Sequence, residues 1–185
     1  MTPERILMLK GLTIKNFFAL SLFLFFCARC ACALEITSFE KEDDGEASVV
    51  FCSNIKVLNI GFEQSSYGSA VIMPRELGGY KNIIMPSETL AKNIEQCFLG
   101  KCKKIKKCQN EVKLSIVKTK ETLGRQLLVD VSFDDELIAT FFVTKYMRGQ
   151  DTVLRVKPPQ DLKITDKKYK ALVRNFIIAK VTDLM

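Results

Sequence analysis

The stretch VIMPRELGGYKNIIMP (residues 71–86) holds two Met-Pro pairs on either side of a Gly-Gly pair. Proline lacks an N–H group and pushes the residue before it toward extended geometry. The stretch therefore predicts two short extended segments, ending at Pro74 and Pro86, that are joined by a turn at Gly78 and Gly79. Because each proline ends its segment, the residues after Pro86 should belong to a different element.

A helix is predicted directly after this stretch. Ser87 is a good N-cap, Glu88 suits the positive end of the helix dipole, and Gly100 can end the helix. Apolar residues recur at helical spacing, at Leu90, Ala91, Ile94, Cys97 and Phe98. Upstream, short apolar runs at residues 34–39, 47–51, 55–62 and 70–74 predict four strands, with a hairpin turn at Ser53 and Asn54.

The same order of elements returns in the second half of the chain. VKLSIVKTKE, QLLVDVSF, ELIATFFVTKY and TVLRVKPP predict four strands, the last ended by Pro158 and Pro159. Thr165 is then expected to cap a helix whose apolar face carries Tyr169, Leu172, Val173, Phe176 and Ile177. The matched order, with a proline after each fourth strand, indicates an internal duplication, and two unrelated small domains are the alternative.

The predicted fold is therefore α+β, built from two tandem modules that each have a small antiparallel sheet followed by one helix. The modules are placed at residues 34–100 and 111–185, with a basic linker at residues 101–110. The two modules are expected to pair within one chain.

Residues 1–33 have the pattern of a targeting segment. A positive flank precedes the apolar run FFALSLFLFFCA (residues 17–28), and the small residues ACA (residues 31–33) follow it. This order predicts a signal peptide that is removed on export, which places the protein in the periplasm or cell envelope. The alternative is an uncleaved segment that anchors the chain in a membrane through residues 17–28, although a spanning helix needs roughly 20 residues.

Charge is distributed unevenly over the rest of the chain. Residues 34–97 contain 5 basic and 10 acidic residues, whereas residues 98–185 contain 19 basic and 10 acidic ones. The segment KCKKIKK suits nucleic acid, anionic lipid headgroups or an acidic cell-wall polymer. The alternative is a soluble linker kept extended by its own charge. The candidate anion-binding residues here are Lys101, Lys103, Lys104, Lys106 and Lys107.

Four cysteines remain after the predicted signal: Cys52, Cys97, Cys102 and Cys108. In an exported protein an even number favours disulfides, and four cysteines allow three connectivities. A zinc site built from all four thiolates is an alternative, although these four cysteines include no C-x2-C pair and the chain has no histidine. Free or buried thiols are the third interpretation.

Catalytic arrangements are not evident in the sequence. Without histidine, no Ser-His or Cys-His nucleophile can form. The carboxylates of FDDEL could bind a cation or transfer protons, but their place in a predicted hairpin favours a solvated acidic turn. We therefore predict a protein that is not an enzyme and that needs no metal or cofactor.

The segments GEASVVFCSNIKVLNIGF and GSAVIMPRELGGYKNIIMPSETLAKNIEQCF resemble the stage V sporulation protein G (SpoVG) family of bacteria. The family pattern has a strand pair, a strand ending in Met-Pro, a Gly-containing loop with an aromatic residue, an I-x-x-P segment and a helix. The residues that match the loop and its ends are Met73, Pro74, Gly79, Tyr80, Ile83 and Pro86. The second half is similar through GRQLLVDVSFDDELIATFFV and VLRVKPP, but its stretch after Pro159 is shorter and lacks the second Met-Pro.

The resemblance implies a small, non-enzymatic, homodimeric type of protein, implicated in septation and sporulation, that binds DNA or RNA through basic residues on and near its helix. In the second-half helix these residues are Lys167, Lys168, Lys170 and Arg174. One expectation is thus a SpoVG-like protein with weak nucleic-acid binding in its basic half, with further self-association as an additional expectation. The other is an exported envelope structural or interaction protein that keeps the fold and has lost nucleic-acid binding.

Overall fold

A computed structural model describes residues 34–74, 82–106, 108, 111–122, 126–149 and 151–184. The predicted signal peptide lies outside the described residues, as do Gly78, Gly79 and Lys107. No helix within the described ranges is long and apolar enough to cross a membrane.

The described residues form strands and helices in the predicted order, with short additional strands. In the first half these are β1 (Ile36–Lys41), β2 (Ala47–Phe51), β3 (Ile55–Ser65), β4 (Gly68–Ile72), β5 (Ile83–Ile84) and helix α1 (Glu88–Phe98). In the second half they are β6 (Leu114–Thr122), β7 (Gln126–Phe133), β8 (Leu137–Arg148), β9 (Asp151–Lys157), β10 (Leu162–Ile164) and helix α2 (Lys167–Val181), which ends in a 3-10 turn (Thr182–Leu184).

The strands form two five-stranded antiparallel sheets. The first has the order β1-β2-β3-β10, and β4 also pairs with β3. The second has the order β6-β7-β8-β5, and β9 also pairs with β8. The predicted α+β class with antiparallel sheets is therefore confirmed, and each sheet takes four strands from one half and a short strand from the other.

The two exchanged strands, β5 and β10, occupy matching places. β10 places Leu162 opposite Val57 near the start of β3, and β5 places Ile83 opposite Ala139 near the start of β8. A further backbone hydrogen bond extends each ladder: Leu58 N–H donates to the Asp161 carbonyl at 2.9 Å, and Thr140 N–H donates to that of Asn82 at 2.8 Å. Separating the halves would break both ladders.

A single hydrophobic cluster includes buried residues of both halves. In β8 the alternate residues Leu137, Ala139, Phe141 and Val143 are buried, as the two-residue period of a strand requires. The helices add Leu90, Ile94 and Cys97 from α1 and Val173, Ile177 and Val181 from α2. The predicted apolar face of α2 is wrong at Leu172, which is 51% exposed.

The start of the second helix also differs from the prediction. The N-cap is Asp166, whose carboxylate accepts the Tyr169 N–H at 2.7 Å, and Thr165 lies one residue earlier. The Thr165 hydroxyl donates a hydrogen bond shared between the Ser53 carbonyl, at 3.0 Å, and the Asn54 carbonyl, at 3.2 Å. Thr165 thus joins the start of α2 to the first half. In α1, the predicted N-cap Ser87 is confirmed.

Candidate functional site

Helix α2 has an unusual charge pattern for its position in the fold. Its basic residues are Lys167, Lys168, Lys170, Arg174 and Lys180, all exposed, and it contains no carboxylate. Three of these lysines lie in or next to the first turn, where the helix dipole favours negative charge. The helix dipole therefore does not favour Lys167, Lys168 and Lys170, which lie close to the Asp166 carboxylate that caps this end.

An apolar cavity of about 360 Å³ lies beside α2, against β9 and β10. Its walls include Phe141, Leu162 and Val173, each at most 2% exposed. Two of the predicted anion-binding residues, Lys170 and Arg174, also line it, together with Lys163 of β10. The structure therefore brings part of the predicted basic set to the mouth of an apolar space.

A second, more open cavity of about 740 Å³ shares Pro158 and Leu162 with the first. Two basic residues of β9, Arg155 and Lys157, line it. None of the residues that line either cavity is acidic. Lys163 was missed in the sequence because β10 was not predicted. Arg155 and Lys157 were missed although their strand was predicted, and the alternation in VLRVK already puts both on one face.

The predicted residues Lys167 and Lys168 are exposed on α2 but line neither cavity. They therefore lie on the same helix as the cavity pair Lys170 and Arg174 but outside the cavity walls. This division separates two kinds of surface on one helix: an open basic face and a basic cavity mouth.

The basic linker is placed elsewhere, along the first half. Ile105 N–H donates to the Ile36 carbonyl at 3.0 Å, and the Lys104 ammonium donates to the Phe39 carbonyl at 3.3 Å. The four linker lysines that the structure describes, at positions 101, 103, 104 and 106, are exposed, and none of them lines either of the two cavities. These two hydrogen bonds attach residues 104 and 105 of the linker to β1.

Two disulfides hold the linker at both ends. Cys97 is joined to Cys102 at the end of α1, and Cys52 is joined to Cys108, 56 positions apart. Of the three connectivities that four cysteines allow, this is the one in the structure. Among the described residues, no group of three or more potential ligands is arranged to hold a metal ion.

The acidic turn between β7 and β8 is a structural element rather than a solvated turn. Asp134 accepts the Lys113 N–H at 2.7 Å, and Glu136 accepts the Leu34 N–H at 2.5 Å and the Ser87 hydroxyl at 3.2 Å. Both carboxylates are half-buried, so the sequence interpretation is wrong for them. Burial raises the pKa of Asp134 above its ordinary value, against the opposing effect of the Lys113 hydrogen bond.

The phenol of Tyr169 is the other perturbed group. Burial raises its pKa well above the ordinary value, and the nearby charge of Asp134 adds to the effect. Its hydroxyl is buried, and no hydrogen-bond partner lies within reach in the described part of the chain. A phenol held neutral in this way is suited to packing rather than to proton transfer near neutral pH.

Comparison with known proteins gives no relative: no family model, no curated protein and no solved structure matches the chain.

Proposed function

We propose that the chain is a single-chain pseudo-dimer of two SpoVG-like modules, with boundaries at residues 34–100 and 111–185. The matching places of β5 and β10 support this proposal, because each module receives the same short strand from the other. Fusion of two pairing modules makes their association intramolecular and raises the effective concentration of one for the other. It also leaves each module free to change its surface.

We further propose that the protein is not an enzyme and that it binds nucleic acid weakly through α2, in a septation- or sporulation-type role. The observation that carries the proposal is the set of exposed cations on α2 with no carboxylate on the same helix. Such a surface neutralises phosphates and releases counterions, and its affinity therefore falls as salt is raised. Contacts of these cations with phosphates carry no sequence information, so such binding would not depend on sequence.

The test is a salt titration of binding to duplex DNA and to RNA by the full chain after expression with its own N-terminal segment. The reversal Lys167→Glu/Lys170→Glu/Arg174→Glu should abolish binding. The matched control, Lys101→Glu/Lys103→Glu/Lys104→Glu, makes the same change in net charge on the linker and should retain most of it. Equal loss in both variants would show that net charge alone is responsible, and undetectable binding at low salt would remove the proposal.

A second candidate is an exported envelope protein that keeps the fold without nucleic-acid binding. The two disulfides favour it, because such bonds persist in oxidising compartments and are rare in the cytosol. N-terminal sequencing of protein from fractionated cells tests it, with Leu34 expected as the first residue of the exported form. An uncleaved chain in the cytoplasm with reduced cysteines would rule it out.

A further inference from the structure

We propose that the 360 Å³ cavity beside α2 binds a medium-chain fatty acid, with the carboxylate held by Lys170 and Arg174 and the alkyl chain against the apolar walls. This site goes beyond the nucleic-acid surface, with which it shares Lys170 and Arg174, because it adds the apolar cavity. Lys167 and Lys168, which belong to that surface, line neither cavity.

The size and lining of the cavity point to an apolar ligand body. Its volume lies within the range of small-molecule sites, roughly 300–1,000 Å³. The apolar lining residues are Phe141, Val156, Pro158, Leu162, Ile164 and Val173. The hydroxyl of Thr165, the uncharged polar side chain in the lining, already donates to the first half. A sugar or other polar body would lose its hydrogen bonds to water there without replacement.

The charges at the mouth of the cavity point to an anionic head. Lys170 and Arg174 are four residues apart on one helical face, a spacing at which like charges repel each other. Lys163 adds a third cation from β10. No carboxylate in the described part of the chain is bonded to any of the three side chains. A single carboxylate would relieve the repulsion, and a guanidinium can hold it with two parallel hydrogen bonds.

The first half shows that the fold itself does not require these charges. Ala91 and Glu95 lie four and eight residues after the N-cap Ser87, as Lys170 and Arg174 lie after Asp166. Glu95 accepts a hydrogen bond from the Ser69 hydroxyl, so this place in the first half holds an anion of its own. At these two helix positions, therefore, only the second half carries a pair of cations.

The test uses calorimetric titration of the full-length, disulfide-bonded protein with decanoate below its micellar concentration. Decanol and decyltrimethylammonium have the same alkyl chain with no charge and with positive charge. The variant Lys170→Gln/Arg174→Gln should bind decanoate at least about tenfold more weakly, because charge-assisted hydrogen bonds are lost. The matched control Lys167→Gln/Lys168→Gln removes the same charge from the same helix and should bind decanoate normally.

A second variant separates the cavity from the nucleic-acid surface. Val156→Phe fills the apolar space without changing any charge, and it should remove decanoate binding while leaving the salt-dependent binding of DNA unchanged. Equal binding of decanol and decanoate would overturn the anionic head, and equal loss in the two charge variants would overturn the assignment to Lys170 and Arg174. Binding of inorganic phosphate without decanoate would overturn the fatty acid.

Discussion

The two helices are attached to the protein in the same way and present opposite surfaces. Each follows a short strand that pairs with the other half's sheet, and each begins at a capping side chain, Ser87 or Asp166. Helix α1 carries two acidic residues and one lysine, whereas α2 carries five basic residues and no acidic one. Burial and capping determine the shared geometry, and the exposed residues are where the halves differ.

The turn between β2 and β3 and the turn between β7 and β8 also share a backbone geometry and differ in their side chains. Two successive residues have positive φ in both, Cys52 and Ser53 in one and Asp134 and Asp135 in the other. Each turn also contacts the start of the helix in the other half. In the first turn backbone carbonyls accept from the Thr165 hydroxyl, and in the second the Glu136 carboxylate accepts from the Ser87 hydroxyl. The same backbone shape thus carries a disulfide in one half and a half-buried acid in the other.

The largest effect is expected from the disulfides, which are confined to the first half and the linker. Cys52→Ala/Cys108→Ala should lower the free energy of unfolding by about 4 kcal/mol, because that bond closes a loop of 56 positions in the unfolded chain. Cys97→Ala/Cys102→Ala, whose residues are 5 positions apart, should lower it by about 2 kcal/mol.

Urea denaturation followed by circular dichroism measures both variants. Because the halves share one hydrophobic cluster, the second half should unfold in the same transition as the first even though it has no disulfide. Two separate transitions would contradict the shared core, and a greater loss for the short loop would contradict the loop-closure argument.

The next effect tests whether the strand exchange is symmetric. Ile83 in β5 and Leu162 in β10 are each 1% exposed and lie in the other half's sheet. Either one changed to Ala should lower the free energy of unfolding by about 3 kcal/mol, within the usual range for core truncations. Ile84→Ala, at a residue that is 45% exposed, is the control and should cost less than about 1 kcal/mol. A large effect of Leu162→Ala with a negligible effect of Ile83→Ala would show that the exchange is one-sided.

Much of this fold could be predicted from the sequence because its signals are local. Alternating apolar residues, turn residues and the cap at Ser87 place most strands and the first helix. β10 was not predicted because three residues with a lysine in the middle give no usable period. The sequence patterns also could not predict that β5 pairs with β8 and β10 with β3, because pairing between distant segments depends on tertiary packing.

The candidate site was predictable in part for the same reason. The exposed cations of α2 can be predicted from helical spacing alone, but the cavity depends on how four elements, β8, β9, β10 and α2, pack together. Lys163 and Val156 line the cavity only because these elements pack together, and the residues next to them in the sequence do not predict this position. The acidic turn shows the reverse problem: Glu136 has an ordinary sequence context, and its partners Leu34 and Ser87 are distant along the chain.

The effect of the different helix surfaces can be tested by transferring the cation pair of α2 to α1. Ala91→Lys/Glu95→Arg gives α1 the cation pair of α2, and each new phosphate contact should add roughly 0.9 to the steepness of the salt dependence of DNA binding. Binding at low salt should therefore increase by about fivefold, equivalent to about 1 kcal/mol. The control Ala91→Gln/Glu95→Gln removes the acid without adding cations. Identical salt slopes for the two variants would show that α1 does not face the nucleic acid.

The smallest effect concerns Asp134, which occupies the turn position that Cys52 occupies in the first half. Because burial raises its pKa in the folded protein, its contribution to stability is fully present below the unfolded pKa of about 3.9 and is lost as pH rises through the folded value. Asp134→Asn should therefore leave stability unchanged near pH 3 and raise it by a few tenths of a kcal/mol at pH 7, since Asn tolerates the positive φ and keeps an oxygen for the Lys113 N–H.

Thermal unfolding of both proteins between pH 3 and pH 7 measures this difference. Asp44→Asn, at an exposed acid in the turn between β1 and β2, is the control and should not reproduce the pH-dependent gain. A loss of stability for Asp134→Asn at pH 7 would mean that the hydrogen bond from Lys113 favours the charged carboxylate more than burial opposes it. In that case the charged Asp134 carboxylate would stabilise the turn between β7 and β8, as the disulfide of Cys52 stabilises the turn between β2 and β3. The two turns would then differ in the kind of interaction that stabilises them.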